Sequence, residues 1–335
     1  MSILVTGAAG FIGFHLSKRL LQEGHHVVGI DNLNDYYSTK LKKDRLAVLK
    51  ETSKKFTFIK LDIADKAGIF ELFETKNFNT VYHLAAQAGV RYSIKCPDAY
   101  IKSNLIGFYN VIEAARHHQI DHLIFASSSS VYGANKKIPY CVQDHTDHPI
   151  SIYAATKKSN EMLAHSYSHL YDIPMTGLRF FTVYGPWGRP DMAYFKFTNL
   201  IKNGEQIEIY NNGDMYRDFT YVGDIVEALF RILDIAPKKS DQWDAENPSP
   251  EIGPAPYRIY NIGHNAPIKL MDFVNILEDA LGLEANKVFK PMQAGDVYKT
   301  WADCSDLYEK IGYKPETDLE EGIGKFVEWY EEYYN

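Results

Sequence analysis

The sequence predicts an α/β protein: a doubly wound parallel sheet with a smaller C-terminal α/β cap. Three observations carry this. Apolar runs of strand length alternate with amphipathic stretches of helix length through residues 1–186. The first run ends in a glycine-rich turn that opens a helix, and the second ends in an acid. From about Trp187 the alternation loosens into shorter elements, which suits a cap that completes a site.

Residues 3–6 read as a buried strand, ended by Gly7-Ala8-Ala9-Gly10-Phe11-Ile12-Gly13. Helical periodicity follows over 11–23, with Phe11, Ile12, Leu16, Leu20 and Leu21 as its apolar stripe. Residues 26–30 form the second strand and close on Asp31 and Asn32. Glycines at such a turn let the backbone approach a pyrophosphate, whose charge sits at the helix N-terminus. An acid ending the second strand accepts from ribose hydroxyls. The plainer alternative is a tight turn beside a satisfied aspartate. Asp31 repels a 2′-phosphate and no arginine follows it immediately, so NAD is favoured over NADP.

Residues 35–50, rich in Tyr and Lys, predict a loop and an exposed helix. A third strand at 56–60 leads into Leu61, Asp62 and Ile63, a turn that meets the adenine in such sheets; Asp62 reads equally as a helix cap. A fourth strand at 80–84 ends at Leu84 and opens into Ala85 and Ala86, small enough for a dinucleotide to pass close to the backbone. Residues 97–118 predict one long helix carrying Asn104, and a strand at 122–126 delivers Ser127, Ser128, Ser129 and Ser130. A helix then runs to about 170, and a strand at 175–179 ends in Phe180-Phe181-Thr182. Later come a helix at 193–203, a strand at 207–210 and a helix at 222–235. Residues 236–257 hold five of the 14 prolines and read as a surface loop. A strand at 258–262, a helix at 270–281 and a terminal helix from about 319 complete the chain.

Tyr153 and Lys157 stand at i and i+4, a turn apart on one helix face. A tyrosine ionises near pH ~10 by itself, and an ammonium held beside it favours the phenolate. A serine hydroxyl from a neighbouring strand end can bridge that base to a substrate hydroxyl. Alone the pair reads as an ordinary amphipathic helix; the serine run before it gives it weight.

Bulk composition excludes other classes. With 45% hydrophobic and 24% charged residues the chain is globular, and its net charge of −7 argues against nucleic acid or an anionic membrane. Cys96, Cys141 and Cys304 are too few and scattered for a disulfide framework or a metal site, which fits a cytoplasmic setting. The N-terminus passes straight from a short apolar run into glycines, so a buried strand is expected and not a signal peptide. No stretch approaches the ~20 apolar residues that cross a bilayer.

TGAAGFIG at 6–13, the serine run and YxxxK at 153–157 together resemble the extended short-chain dehydrogenase/reductase family. The segments 31–46, SSSSVYG at 127–133, YGPWGRPDMA at 184–193 and RDFTYVGD at 217–224 are similar to the nucleotide-sugar epimerases acting on UDP-glucuronate, often found in capsule or lipopolysaccharide synthesis. The resemblance implies residues 1–186 as an NAD-binding Rossmann domain, with some later segments returning to it, and 187–335 mainly as a UDP-sugar-binding cap. It implies Tyr153 as acid/base, Lys157 as its electrostatic partner and ribose contact, and Ser128 as the catalytic hydroxyl, with Ser129 and Ser130 open for that role. NAD contacts would come from Gly7, Gly10, Phe11, Ile12, Gly13, Asp31, Asn32, Asp62, Ile63, Leu84, Ala85, Ala86, Asn104, Ser127, Tyr153, Lys157 and Phe180. Ser128, Ser129 and Tyr153 would meet the sugar, Arg217 the UDP pyrophosphate and Asp296 the nucleotide. Arg189 and Thr182, with Arg91 a weaker candidate, match the place of the sugar's C5 substituent. The plainer readings are a surface ion pair for Arg217, with Asp218 or Asp224, and an exposed loop residue for Arg189.

The implied reaction is C4 epimerisation of a UDP-hexuronic acid, UDP-glucuronate to UDP-galacturonate, through a 4-keto sugar. Alternatives are a UDP-glucose or UDP-N-acetylhexosamine 4-epimerase, a UDP-glucuronate decarboxylase, and a non-catalytic NAD-binding sensor. Dehydratases and decarboxylases of this family carry acids at the positions held here by Ser129 and Ser130, which counts against both. A homodimer through the helices at 97–118 and 152–170 is expected, and no metal.

Overall fold

A computed structural model describes residues 1–241, 243–292 and 298–334. Its strands are β1 (Ser2–Thr6), β2 (His26–Asp31), β3 (Phe56–Lys60), β4 (Thr80–His83), β5 (His122–Ser128), β6 (Met175–Phe180), β7 (Thr182–Tyr184), β8 (Gln206–Ile209), β9 (Tyr216–Tyr221), β10 (Tyr257–Ile262), β11 (Pro267–Lys269), β12 (Asn286–Phe289) and β13 (Lys299–Thr300). Seven of them form one sheet in the order β10-β6-β5-β4-β1-β2-β3, every pairing parallel.

Side-chain alternation along β1 shows why this sheet needs cover on both faces. Ile3 and Val5 point into one core, with Phe14 and Leu20 of helix Phe11–Gln22 and Val226 and Leu229 of helix Val222–Ile232. Leu4 points the other way, into a core shared with Phe108, Val111 and Ile112 of helix Phe108–Arg116. All three β1 residues are fully buried. Truncating one such side chain to alanine typically costs about 2–5 kcal/mol. The doubly wound sheet read from the alternation is therefore present, and its strand order turns between β1 and β4. Ligands of open α/β sheets bind in the crevice at that switch point.

Two helices differ from expectation. The stretch read as one helix over 97–118 is α-helical at Pro97–Tyr100, π-helical at Ile101–Gly107 and α-helical again at Phe108–Arg116. A π turn breaks the i→i+4 pattern, and here Asn160 Nδ2 donates to the Asn104 carbonyl within it at 2.7 Å. Periodicity counting cannot register one turn of altered winding. The helix Thr39–Thr52, read as exposed, buries Leu41, Arg45 and Leu49 completely. Its lysine-rich composition concealed that stripe.

Beyond the sheet, β9 pairs with β7 and β13 in parallel and with β11 antiparallel, while β8 and β12 form a two-stranded ribbon. These strands are two to six residues long, too short to announce themselves by alternation. The later chain also returns to the main sheet: β10 lies beside β6, and helix Val222–Ile232 packs against one sheet face. No helix or strand occupies the described residues of 236–256.

Candidate active site

The turn between β1 and helix Phe11–Gln22 is built from backbone alone. Gly7 sits at φ +74°, and a Cβ there would lie 2.9 Å from the Ala85 nitrogen. A Cβ on Gly13 would lie 2.2 Å from the Gly7 carbonyl oxygen, so only glycine lets the helix close against the strand. Gly10 is the N-cap, with no side-chain cap bond and no acid in the first turn. The helix thus keeps its unpaired N–H groups and positive dipole end for an anion.

Asp31 ends β2, and its Oδ1 accepts from the Leu33 N–H at 2.8 Å. Burial pushes its carboxyl up, while that N–H and the Lys42 charge pull it down. Leu61 and Ile63 after β3, and Leu84, Ala85 and Ala86 after β4, line the same cavity of about 840 Å³. Phe11, Ile12, Asn32 and Phe180 line it too. Asp62 does not. Its carboxylate accepts from the Ala64 N–H at 2.9 Å, pairs with Lys102 at 3.3 Å, and stays beside the crevice. Asn104 is likewise behind the wall, not in it. Its amide spans the Gln87 backbone, accepting from the nitrogen at 2.8 Å and donating to the oxygen at 3.0 Å, and it donates to Thr156 Oγ1 at 3.1 Å. With those atoms engaged, it fixes the backbone at Gln87, which lines the cavity.

Strand alternation separates the serines at the end of β5. Ser127 Oγ donates to Glu161 at 2.6 Å, and Glu161 pairs bidentately with the fully buried Arg179 at 2.9 and 3.0 Å. Its hydroxyl is thereby committed to a buried network, although the residue borders the cavity. By the same alternation Ser128 faces the other way, where it lowers the pKa of the Tyr153 phenol, and its Oγ accepts from the Ser130 N–H at 3.1 Å.

Tyr153 stands one turn into helix Ile152–Tyr171, whose N-cap Ser151 accepts from the Ala154 N–H at 3.1 Å. Burial raises the phenol's pKa; the Ser128 bond and the Arg189 charge oppose it. Lys157 is 3% exposed, and burial lowers its pKa to about 8. Its ammonium donates to the Ala126 carbonyl at 2.7 Å. The Arg189 guanidinium, assigned from the sequence only to the sugar, also acts on the phenol.

On the far side the cavity meets Ser129, Thr182, Arg91, Arg189 and Arg217. Arg189 Nε and Nη2 bond the Asp191 carboxylate at 3.0 and 2.5 Å, and Tyr36 donates to that carboxylate at 3.1 Å. Burial raises the Asp191 carboxyl, and the guanidinium outweighs it and holds it below the usual range. Arg217 donates to the carbonyls of Tyr216 at 2.8 Å and Tyr298 at 3.3 Å. Arg91 lies over the Tyr210 ring, 5.3 Å from its centroid. Asp296 lies outside the described residues. Tyr36, Lys42 and Asp191 border the cavity and were missed. No short motif marks them, because their place depends on how two distant loops meet.

Among the described residues no cluster of His, Cys, Asp or Glu is arranged to hold a metal, and no helix is long and apolar enough to cross a membrane. Fold and cavity together define a dinucleotide-binding α/β protein. The chain belongs to the NAD dependent epimerase/dehydratase family, whose profile matches residues 3–263. It is 53% identical to Protein CapI of Staphylococcus aureus, over all of this chain and 99% of that protein. It is 47% identical to a probable UDP-glucuronate 4-epimerase of Rhizobium meliloti, over all of this chain and 98% of the relative. The solved UDP-glucuronic acid 4-epimerase of Bacillus cereus, in complex with UDP-glucuronic acid and NAD, superposes with a TM-score of 0.86 at 34% identity and full coverage of both chains.

Proposed function

We propose that this protein is an NAD-dependent UDP-glucuronate 4-epimerase, interconverting UDP-glucuronate and UDP-galacturonate. The observation that carries the reading is that one cavity joins the uncapped glycine turn, the Tyr153–Ser128 pair and an arginine-lined far wall. The residues fit the dinucleotide: the helix N-terminus at Gly10 would take its pyrophosphate, Asp31 its adenine-side ribose and Lys157 the other ribose. NAD, when bound, supplies the acceptor and donor of hydride.

The chain's own part is proton and charge control. Tyr153 takes the proton of the sugar's 4-hydroxyl, with Ser128 bridging the two oxygens, and later returns it to the same oxygen. The first step needs the phenolate and the second the phenol it becomes, so a moderate pKa serves both and the burial that raises Tyr153 must be offset by nearby cations. Oxidation at C4 beside a C5 carboxylate makes a β-keto acid, which readily loses CO2. Thr182 and Arg189, which line the cavity, would hold that carboxylate so that its breaking bond stays out of line with the ketone. Serines at 129 and 130 leave no acid there to protonate a departing hydroxyl.

A homodimer is part of the same proposal. Ile101, Ile106, Met162 and Leu170 stand exposed on the stretches Ile101–Gly107 and Ile152–Tyr171, a face that a second copy would cover. Three free cysteines accord with a cytoplasmic setting, and nucleotide-sugar supply to surface polysaccharide is the role proposed. Incubation with UDP-glucuronate followed by product analysis tests the reading. UDP-galacturonate is expected; a UDP-pentose with stoichiometric CO2, or no conversion, overturns it.

A further inference from the structure

Arg45 is fully buried, yet among the described residues its hydrogen-bond partners include no carboxylate. Its Nη1 donates to the Ala9 carbonyl in the glycine turn and to the Tyr37 phenol, both at 2.8 Å. Its Nη2 donates to the carbonyls of Trp187 at 2.5 Å and Gly188 at 3.0 Å. A buried charge hydrogen-bonded to carbonyls and one hydroxyl, with the Tyr37 ring 5.5 Å away and the Asp31 charge near enough to be felt, is a costly way to hold a fold together. A function for the bridge itself is the better account.

The bridge has a second strut. His15, on the helix after the glycine turn, lies 2.8 Å through Nε2 from the Pro186 carbonyl. Burial lowers this imidazole to about 4, so it is neutral near pH 7, and a carbonyl partner requires the proton on Nε2. Three consecutive carbonyls, at 186, 187 and 188, are thus held by two side chains from the dinucleotide-binding half. The next residue is Arg189. Trp187 itself sits at φ +57°, a left-handed conformation that a bulky residue adopts only when its surroundings impose it.

We infer that Arg45 is a positioning residue for the sugar site: by tying the Trp187 and Gly188 carbonyls to the Ala9 carbonyl, it sets the distance between the cofactor turn and the Arg189 fork. This rests on the reading of Arg189 as the carboxylate contact of a UDP-glucuronate epimerase. The planar fork of Arg45 is what allows four acceptors on three loops to be held at once. A lysine keeps the charge and reaches fewer of them.

The test is calorimetric binding of UDP-glucuronate and UDP-glucose to NAD-loaded wild type, Arg45→Lys and Tyr37→Phe. Arg45→Lys should weaken UDP-glucuronate by about tenfold and UDP-glucose by no more than about twofold, with NAD content kept, because a point charge cannot replace the fork. Tyr37→Phe removes one acceptor and should lower UDP-glucuronate affinity about threefold in the same selective way. Should Arg45→Lys fail to fold, Tyr37→Phe decides alone, and unchanged or unselective binding overturns the inference. Equal weakening of both sugars, or loss of NAD, in Arg45→Lys marks a merely structural role and overturns it as well. Wild type that binds the two sugars equally overturns the substrate reading and this inference together; wild-type selectivity that survives in Arg45→Lys overturns this inference alone.

Discussion

The two walls of the cavity are built from different materials. The cofactor wall is backbone: an uncapped helix end, glycines whose missing Cβ atoms allow close approach, and strand ends carrying small residues. The sugar wall is charged side chains already engaged with the protein, Arg189 with Asp191 and Tyr36, Arg217 with two carbonyls, Arg91 over Tyr210. A backbone wall binds what comes without rearranging. A side-chain wall must exchange partners, so under the proposed function a sugar carboxylate would compete with Asp191 for the Arg189 guanidinium. Affinity there measures a difference between two pairings, and substitutions on the two walls should behave differently.

Tyr153, where the walls meet, should show the largest effect. Tyr153→Phe keeps the packing against Tyr100 and loses the ionisable oxygen, so kcat should fall about 10²–10⁴-fold while NAD content holds. Near-normal turnover in that variant would remove the assigned base.

Arg189→Ala breaks the sugar wall twice, removing the carboxylate's partner and stranding Asp191 in a partly buried place. Affinity for UDP-glucuronate should drop by about 2–5 kcal/mol, and much less for UDP-glucose. If the guanidinium also orients the carboxylate, slow turnover should release CO2 and a UDP-pentose, measured beside UDP-galacturonate. Weaker binding without extra CO2 would leave Arg189 a binding residue and pass the protective role to Thr182.

Asp31→Ala probes the cofactor wall. It should cost about 1.5–3 kcal/mol of NAD affinity, the scale of a hydrogen bond to a charged group, and leave kcat near wild type at saturating NAD. Purified variant carrying a full complement of NAD would show that the ribose is held elsewhere.

The smallest effect, and the most diagnostic in sign, comes from Lys157. Burial depresses its pKa from 10.5 to about 8, so between those values the unfolded chain holds a proton that the folded, NAD-free protein has lost. Its contribution to stability therefore rises with pH from about 8 upward. NAD affinity should move oppositely, falling over the same window as the ammonium is lost. Melting of the NAD-free protein and NAD titration at pH 7.5, ~8.5 and ~9.5 read both trends. Lys157→Met should flatten the two together; a variant that keeps either slope assigns it to another group.

Much of this site was legible before any folding was considered, because it rests on local rules. A strand that must end in a tight turn at a helix start needs glycine at 7, 10 and 13. An acid at the end of the next strand, and a tyrosine and lysine one helical turn apart, are fixed by short-range geometry. Those residues therefore appear in the sequence at readable spacings, and with them the doubly wound sheet that brings strand ends together. Folding alone decided the rest. The alternation of β5 sent Ser127 into the Glu161–Arg179 network and Ser128 to the phenol. The π turn drew Asn104 behind the wall, and the packing of the two distant segments around Arg45 and Trp187 set Asp191 against Arg189. These outcomes rest on partners outside the element that carries the polar atom, 34 residues away for Ser127 and Glu161 and 142 for Arg45 and Trp187. Hydrogen-bond partnership at that range is settled only when the core closes and the solvent that would have satisfied the same atoms is excluded.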